Sequence, residues 1–200
     1  MLIVGENGSP NQNGNTGELL RLVLDKAAAL GARTALIDCA ALLAACDQPF
    51  CTACATPCPG VCYADTPLAA AFELLKEADG LVVGSPVYFG TVAAQLKAFF
   101  DKARKVRAGK ELYNTVGAAL AVGASRFGGQ ETTIRAIHDI LLVQGLILVG
   151  DGYGDDDCGH QGVGAQRPVQ TDDCAKKRAD ILAKRLIEVC QATAPLRRKS

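Results

Sequence analysis

The chain has 200 residues, of which 49% are hydrophobic and 21% charged, so it is long and apolar enough to form one sizeable core. Its 21 basic residues balance its 21 acidic residues, and we therefore expect neither nucleic acid nor an anionic membrane as a partner. No apolar run reaches the roughly 18 residues of a membrane span and no secretory leader is evident, which favours a cytoplasmic location.

The first motif is a polar loop between an apolar strand at residues 2–5 and a helix at residues 16–29. Such a loop presents backbone N–H groups and the positive end of a helix dipole, which suits a phosphate. It lacks both the Lys of a nucleoside triphosphatase loop and the dinucleotide fingerprint, so a monophosphate site or an ordinary capped turn remains. The side chains that can donate to a monophosphate are Ser9, Asn11, Asn13, Asn15 and Thr16.

A long connection, residues 39–67, separates the second strand at residues 33–38 from the next helix at residues 68–76. Connections of this length inside compact domains are normally functional or disordered. This one holds a run of four closely spaced cysteines, Cys51, Cys54, Cys58 and Cys62. A structural zinc site usually splits its ligands into two distant pairs, whereas such close spacing is typical of iron–sulfur ligation. A [4Fe–4S] cluster, free or redox-active thiols, and zinc all remain open.

An uninterrupted apolar run at residues 81–83 predicts a strand that is buried on both faces of a parallel sheet. The run ends in small residues, a proline and two aromatics, Tyr88 and Phe89. Ligands of open α/β sheets bind beyond the carboxyl ends of strands, so these rings are placed to contact a flat ligand. The alternative is that both rings only cap the sheet.

The second half of the chain continues the alternation of strands and helices. Further elements are expected at residues 92–105, 115–122, 130–144 and 146–149. Residues 150–170 are rich in Gly and Asp and predict a flexible lid or a subunit-contact loop, and a closing helix follows at residues 171–190 with Thr171 as its cap. Five such strands predict an α/β three-layer sandwich with a five-stranded parallel sheet, in one domain over residues 1–200.

Three motifs, which follow the first, third and fourth strands, together resemble the NADPH-dependent FMN reductase branch of the flavodoxin-like superfamily. They are G-S-P…N-G-N-T at residues 8–16, G-S-P-V-Y-F-G at residues 84–90 and S-R-F-G-G-Q-E at residues 125–131. With the cysteine run added, the closest subgroup is the iron–sulfur flavoproteins. The resemblance implies sheet order 2-1-3-4-5, with the FMN phosphate in the first loop and the isoalloxazine ring between the second and third loops.

The resemblance also implies roles for individual residues. The five polar side chains of the first loop would hold the FMN phosphate, and the four cysteines of the run would bind a [4Fe–4S] cluster. The residues implied to line the ring are Pro86, Val87, Tyr88, Phe89, Gly90, Ser125, Gly128 and Gly129. Because the flavin carries the redox chemistry, we expect no catalytic acid, base or nucleophile.

Three functions are consistent with these features. The first is an electron-transfer protein that passes electrons from a ferredoxin-type donor to a small-molecule acceptor through a [4Fe–4S] cluster and FMN. The second is a cluster-free reductase in which NAD(P)H reduces FMN and FMN reduces a quinone, a metal or free flavin. The third is a non-enzymatic metal-binding module on a flavodoxin scaffold. We also expect a homodimer or homotetramer, because the outer edge of the ring would otherwise face water.

Overall fold

A six-stranded parallel sheet runs through the structure, a computed structural model that describes residues 1–197. Its strands are β1 (Leu2–Asn7), β2 (Arg33–Asp38), β3 (Gly80–Pro86), β4 (Val116–Gly123), β5 (Ile147–Val149) and β6 (Val163–Gln166). The order β2-β1-β3-β4-β5 confirms the order that the resemblance implied. The helices are α1 (Asn15–Ala29), α2 (Cys39–Ala44), α3 (Pro67–Glu77), α4 (Ala94–Lys102), α5 (Arg104–Ala108), α6 (Gln130–Val143) and α7 (Asp173–Ala192).

Helices cover both faces of the sheet, which is why its central strands are apolar without alternation. Successive residues of a strand point to opposite faces, so one strand contributes to two cores. On one face α1 and α7 pack against Ile3 and Val82. On the other face α2, α3, α4 and α6 pack against Val4 and Val83. The three-layer α/β sandwich expected from the sequence is therefore confirmed.

The edge of the sheet beside β4 is a strand in two pieces. β5 pairs with residues 116–118 of β4, and β6 pairs with residues 120–123 of the same strand. The sequence did not predict β6, because it has only four residues and only Val163 and Ala165 are buried. Residues 150–162 form an insertion between the two pieces, and Arg178 of α7 holds this insertion through two 2.7 Å hydrogen bonds to Asp157.

Several element boundaries differ from the predicted ones for local reasons. The expected helix over residues 92–105 is broken at Ala103 into α4 and α5. The closing helix begins at Asp173, since the side chain of Asp172 accepts from the N–H of Ala175 at 3.0 Å and so caps it. Thr171 is therefore not the cap and lies in a short 3₁₀ turn. None of the helices within residues 1–197 combines the length and the apolar character that crossing a membrane requires.

Candidate functional site

The first loop is shaped by its own side chains. Asn7, the last residue of β1, accepts from the N–H of Ser9 at 3.1 Å and donates to Asp38 at 2.7 Å. The hydroxyl of Ser9 accepts from the N–H of Asn11 at 3.1 Å, and the side-chain oxygen of Asn11 accepts from the N–H of Asn13 at 3.2 Å. Side chains of this kind form successive turns by bonding to the backbone two residues on. The loop thus has a defined shape before any ligand binds.

The amino end of α1 opens into this loop without a side-chain cap. The helix starts after Gly14, which offers no side chain, so the N–H groups of its first turn have no acceptor within the helix. Asn15 directs its side-chain oxygen to the N–H of Val169 at 2.9 Å, and Thr16 is buried. A Cβ on Gly17 would lie 2.7 Å from the carbonyl oxygen of Gln12, so the chain closes tightly round this helix end. Uncapped N–H groups with a helix dipole behind them fit a phosphate.

The second loop is a tight hairpin turn after β3. The N–H of Tyr88 donates to the carbonyl oxygen of Thr91 at 3.0 Å, and the return bond is 3.2 Å. Phe89 and Gly90 both have positive φ, 51° and 77°, as two-residue hairpin turns with the strand-matching twist require. The ring of Phe89 is 107% exposed and that of Tyr88 is also exposed. The two rings therefore do not cap the sheet, and they are free to contact a flat ligand.

The third loop, after β4, is held by Gln130 at the start of α6. The side-chain amide of Gln130 donates to the carbonyl oxygen of Ser125 at 2.6 Å, and its oxygen accepts from the N–H of Gly128 at 2.8 Å. The N–H of Gly128 is thus already engaged, and a ligand would have to use other donors of this loop. Gln130 is buried and also donates to the carbonyl oxygen of Ala165 in β6.

The three loops meet at the carboxyl edge of the sheet. The N–H of Gly8 donates to the carbonyl oxygen of Gly84 at 2.8 Å, which joins the first loop to β3. A Cβ on Gly129 would lie 3.1 Å from Val87 and 3.2 Å from Gly90, so the third loop packs on the second. β1, β3 and β4 are neighbours, and their carboxyl ends flank the position where the strand order reverses. The structure thus brings together all three of the loops that the sequence singled out.

The run of cysteines, residues 51–62, has a different character. It has no helix or strand, and Gly60 is its one buried residue. Its four thiols are free, with Cys54 and Cys62 exposed and Cys51 and Cys58 partly exposed. The segment ends at Tyr63, whose ring packs edge-on against Phe72 of α3 with centroids 4.9 Å apart. Burial raises the pKa of Tyr63 to about 12, with further contributions from the nearby thiols of Cys58 and Cys62.

No three Cys, His, Asp or Glu side chains of residues 1–197 converge on one point that would hold a single metal ion. In a [4Fe–4S] cluster each thiolate binds a different iron, so its ligands need not converge on one centre. The donor chemistry suits such a group, because four free thiols share one segment. A buried ammonium supports the fit: Lys102 of α4 donates to the sulfur of Cys62 at 3.6 Å.

A buried carboxyl group lies in β1, close to the start of α2. Glu6 of β1 is fully buried, and the thiol of Cys39, at the start of α2, donates to its Oε1 at 3.4 Å. Its Oε2 has no hydrogen-bond partner among the described residues. Burial raises the pKa of Glu6 to about 8, although the hydrogen bond from Cys39 lowers it. Burial and the charge of Glu6 also raise the pKa of the Cys39 thiol. Glu6 is therefore mostly protonated at neutral pH.

The chain is similar to known proteins in sequence and in fold. Residues 1–157 match the sequence model of the family described as NADPH-dependent FMN reductase. The chain belongs to this family. An iron–sulfur flavoprotein of Methanocaldococcus jannaschii is 42% identical over 94% of this chain and 97% of its own. An iron–sulfur flavoprotein of Methanosarcina thermophila is 34% identical over 96% of each chain. A flavodoxin, WrbA-like protein from Agrobacterium tumefaciens superposes with a TM-score of 0.69 at 17% identity, over 96% of this chain and 97% of its own, and shows the same fold.

Membership of the NADPH-dependent FMN reductase family makes this chain a flavin-dependent oxidoreductase. The non-enzymatic metal-binding module expected as one alternative is therefore wrong. Sequence reasoning did not single out four side chains that contact the loops or the cysteine run: Asn7, Lys102, Gln130 and Thr132, whose hydroxyl donates to the carbonyl oxygen of Gly90 at 2.7 Å. Asn7 and Gln130 carried a weak signal, since each is an amide side chain next to a loop motif. Lys102 and Thr132 gave none, because their contacts cross between distant segments.

Proposed function

We propose that this oxidoreductase moves electrons between a donor and a small-molecule acceptor through FMN and a [4Fe–4S] cluster. The observation that carries the proposal is the cysteine run itself: four free thiols in one segment, one of them hydrogen-bonded to a buried ammonium. Both full-length relatives described above are named iron–sulfur flavoproteins. The 1–200 chain would act as one FMN-binding domain that carries the cysteine-rich insertion 39–67.

FMN would bind at the three loops of the sheet edge. Its phosphate would accept from the uncapped N–H groups at the start of α1 and from the polar side chains of the first loop. Its ring would lie between the second and third loops, against the exposed aromatic rings of Tyr88 and Phe89. The side-chain oxygens of Ser9, Asn11 and Asn15 accept backbone N–H groups, which orients these side chains, and their O–H and amide N–H groups remain able to donate to the phosphate. The flavin supplies the redox chemistry, and the protein orients it.

The cluster would bind to Cys51, Cys54, Cys58 and Cys62. Because almost no side chain of this segment is buried, apolar burial contributes little to its order, and each ordered residue costs about 1–2 kcal/mol of backbone entropy. Bonds from four thiolates to one group would replace that missing stabilisation. The N–H of Ala53 points at the sulfur of Cys51 at 3.4 Å, a contact that stabilises a thiolate.

The family description suggests the class of electron donor, and the exposed aromatic rings suggest the oligomeric state. The family is described as NADPH-dependent, which favours a nicotinamide donor, and a ferredoxin-type donor suits a cluster. The rings of Phe89 and Phe127 are both fully exposed beside the proposed flavin position, which favours a homodimer or homotetramer that covers them. Nine cysteines without a disulfide among the described residues fit a reducing compartment, and we place the protein in the cytoplasm.

A second candidate is a cluster-free NAD(P)H-dependent FMN or quinone reductase. It is favoured by the family description and by the separation of the four thiols, which do not form a three-ligand group within residues 1–197. In that case the cysteine run would be a redox-active or inert surface segment.

The deciding experiment is the anaerobic purification of the whole protein, followed by assays of iron, acid-labile sulfide, zinc and released flavin. We expect about four iron and four sulfide per chain, FMN as the released flavin, and loss of iron but not of FMN in Cys54→Ser. Cys174→Ser is the matched control, because Cys174 is also exposed but lies outside the run, and it should keep its iron. About one zinc without sulfide, or no metal at all, would leave the cluster-free reductase as the better account. Failure to recover FMN after reconstitution would contradict both.

A further inference from the structure

Within residues 1–197, Lys102 is a buried cation without a carboxylate partner. It is the last residue of α4, and only 1% of it is accessible. An ammonium group taken out of water is unfavourable unless a negative group is paired with it. No ion pair joins Lys102 to an Asp or Glu in the part of the chain that the structure describes, and the acceptor of its hydrogen bond is the sulfur of Cys62 at 3.6 Å. On the same helix, by contrast, the exposed Lys97 pairs with Asp101 at 2.6 Å.

Two neighbouring cations bring the α4–α5 junction against the same segment. Arg104 donates to the hydroxyl of Thr56 at 3.2 Å. A Cβ on Gly60 would lie 2.9 Å from Cδ of Lys105, so the stem of Lys105 lies along the segment. The nearby carboxylate Glu73 pairs with Lys76 at 2.7 Å. Three basic side chains, those of Lys102, Arg104 and Lys105, thus lie against the cysteine run, and Lys102 is the buried one.

We propose that Lys102 is the counter-charge of the cluster ligand Cys62, and that it sets both the retention and the reduction potential of the cluster. This inference rests on the proposed function, since it needs a cluster on the four cysteines. Four thiolates give such a group a net negative charge, and one electron from the donor makes that charge more negative. A buried ammonium beside a ligand sulfur therefore stabilises the reduced form more than the oxidised form, and raises the potential. Lys102 acts through Cys62 and is a positioning residue.

The test uses one substitution that should stabilise the metal-free protein but weaken the cluster site of the loaded protein. Lys102→Met keeps most of the length of the side chain and removes its charge. In metal-free protein it removes a buried cation that lacks a carboxylate partner, so the midpoint of thermal unfolding should rise. In the loaded protein the cluster should take up its electron at a lower potential, and a chelator should remove iron about tenfold faster. If Lys102 had only a packing role, its replacement would shift the stability of the metal-free protein and of the cluster-loaded protein in the same direction.

Two further variants serve as controls. Lys102→Arg keeps the charge and should retain a potential close to that of the parent protein. Lys97→Met removes an exposed lysine from the same helix and should change neither the potential nor the retention of iron. The potential is measured by titration monitored by electron paramagnetic resonance, with the flavin spectrum as the check on the FMN site.

The outcomes separate this inference from the proposed function. Parent protein without iron and sulfide would overturn the cluster, and this inference with it. Parent protein with a cluster, together with an unchanged potential and iron retention in Lys102→Met, would overturn this inference alone. Loss of FMN as well as iron in Lys102→Met, when Lys102→Arg keeps both, would show that the charge serves the whole fold and would also overturn it.

Discussion

The three loops at the carboxyl edge of the sheet and the cysteine run at residues 51–62 both lie at the surface, but different interactions hold them. The first and third loops are held by nearby side chains, such as those of Asn7 and Gln130, and the second loop is held by backbone hydrogen bonds between Tyr88 and Thr91. Residues 51–62 have one buried residue and few hydrogen bonds. The first site is therefore preformed by the chain, whereas few contacts within the chain hold the cysteine run in place.

Glu6 is fully buried in β1, and its replacement is expected to have the largest effect. Its pKa rises from 4.5 to about 8 in the folded protein, because burial disfavours the charged form. A raised pKa of this kind gives stability that is fully present below pH 4.5 and is lost as the pH rises towards 8. This group alone therefore lowers the free energy of unfolding by about 1.4 kcal/mol per pH unit across that window.

Glu6→Gln should remove this pH dependence. Between pH 4.5 and 7 the variant should gain about 3 kcal/mol relative to the parent protein, as measured by urea denaturation at a series of pH values. Glu188→Gln, at an exposed position of α7, is the control and should follow the parent curve. Parallel curves for Glu6→Gln and the parent would mean that Glu6 is ionised in the folded state.

Limited proteolysis with chymotrypsin allows a direct comparison of the two regions, because exposed phenylalanines lie in the loops and beside the cysteine run. Phe50 borders the cysteine run, while Phe89 lies in the second loop and Phe127 in the third, and all three rings are exposed. Removal of iron should increase cleavage after Phe50 about 100-fold, since a segment with few buried contacts opens easily. Cleavage after Phe89 and Phe127 should not change, and mass spectrometry of the fragments gives all three rates at once. If removal of iron changed the cleavage rate equally at all three sites, the loops would not be more independent of the bound group than the cysteine run.

Gln130→Ala should loosen the third loop. It removes the hydrogen bonds to Ser125 and Gly128 and leaves the buried carbonyl oxygen of Ala165 without this donor, which costs about 1–3 kcal/mol. We expect the dissociation constant of FMN to rise about tenfold in a fluorescence titration, with iron retained. Gln191→Ala, at an exposed position of α7, should bind FMN as tightly as the parent protein. Loss of iron together with FMN would show that the two regions do not order independently.

Phe89→Gly is expected to have the smallest effect on stability. It should stabilise the fold slightly but weaken FMN binding. Phe89 has φ 51°, a conformation that is unfavourable for any residue with a Cβ. Glycine relieves this strain and should stabilise the flavin-free protein by about 0.5–1 kcal/mol in thermal unfolding. The same change removes an aromatic surface from the proposed ring site and should weaken FMN binding. Unchanged FMN affinity would remove Phe89 from the site.

Local sequence patterns were enough for most of the fold. An uninterrupted apolar run predicted β3 as a buried strand of a parallel sheet, and the predicted bounds of α1 and α6 lie within one residue of their observed ends. The small-residue loops after three strands indicated a ligand edge. These signals are readable because strand burial and helix amphipathicity repeat within a few residues of the same segment.

Other features arise only when distant segments meet. β6 forms because β4 offers it an edge beyond the end of β5, and four residues carry no periodic signal of their own. The raised pKa of Glu6 depends on the apolar side chains that surround it, and the burial of Lys102 depends on the segment 40 residues away that covers it. Local patterns were therefore sufficient for the succession of strands and loops along the chain, since each pattern lies within one segment. The tertiary structure decided which polar groups are buried and what they contact, because burial is a property of the packed chain.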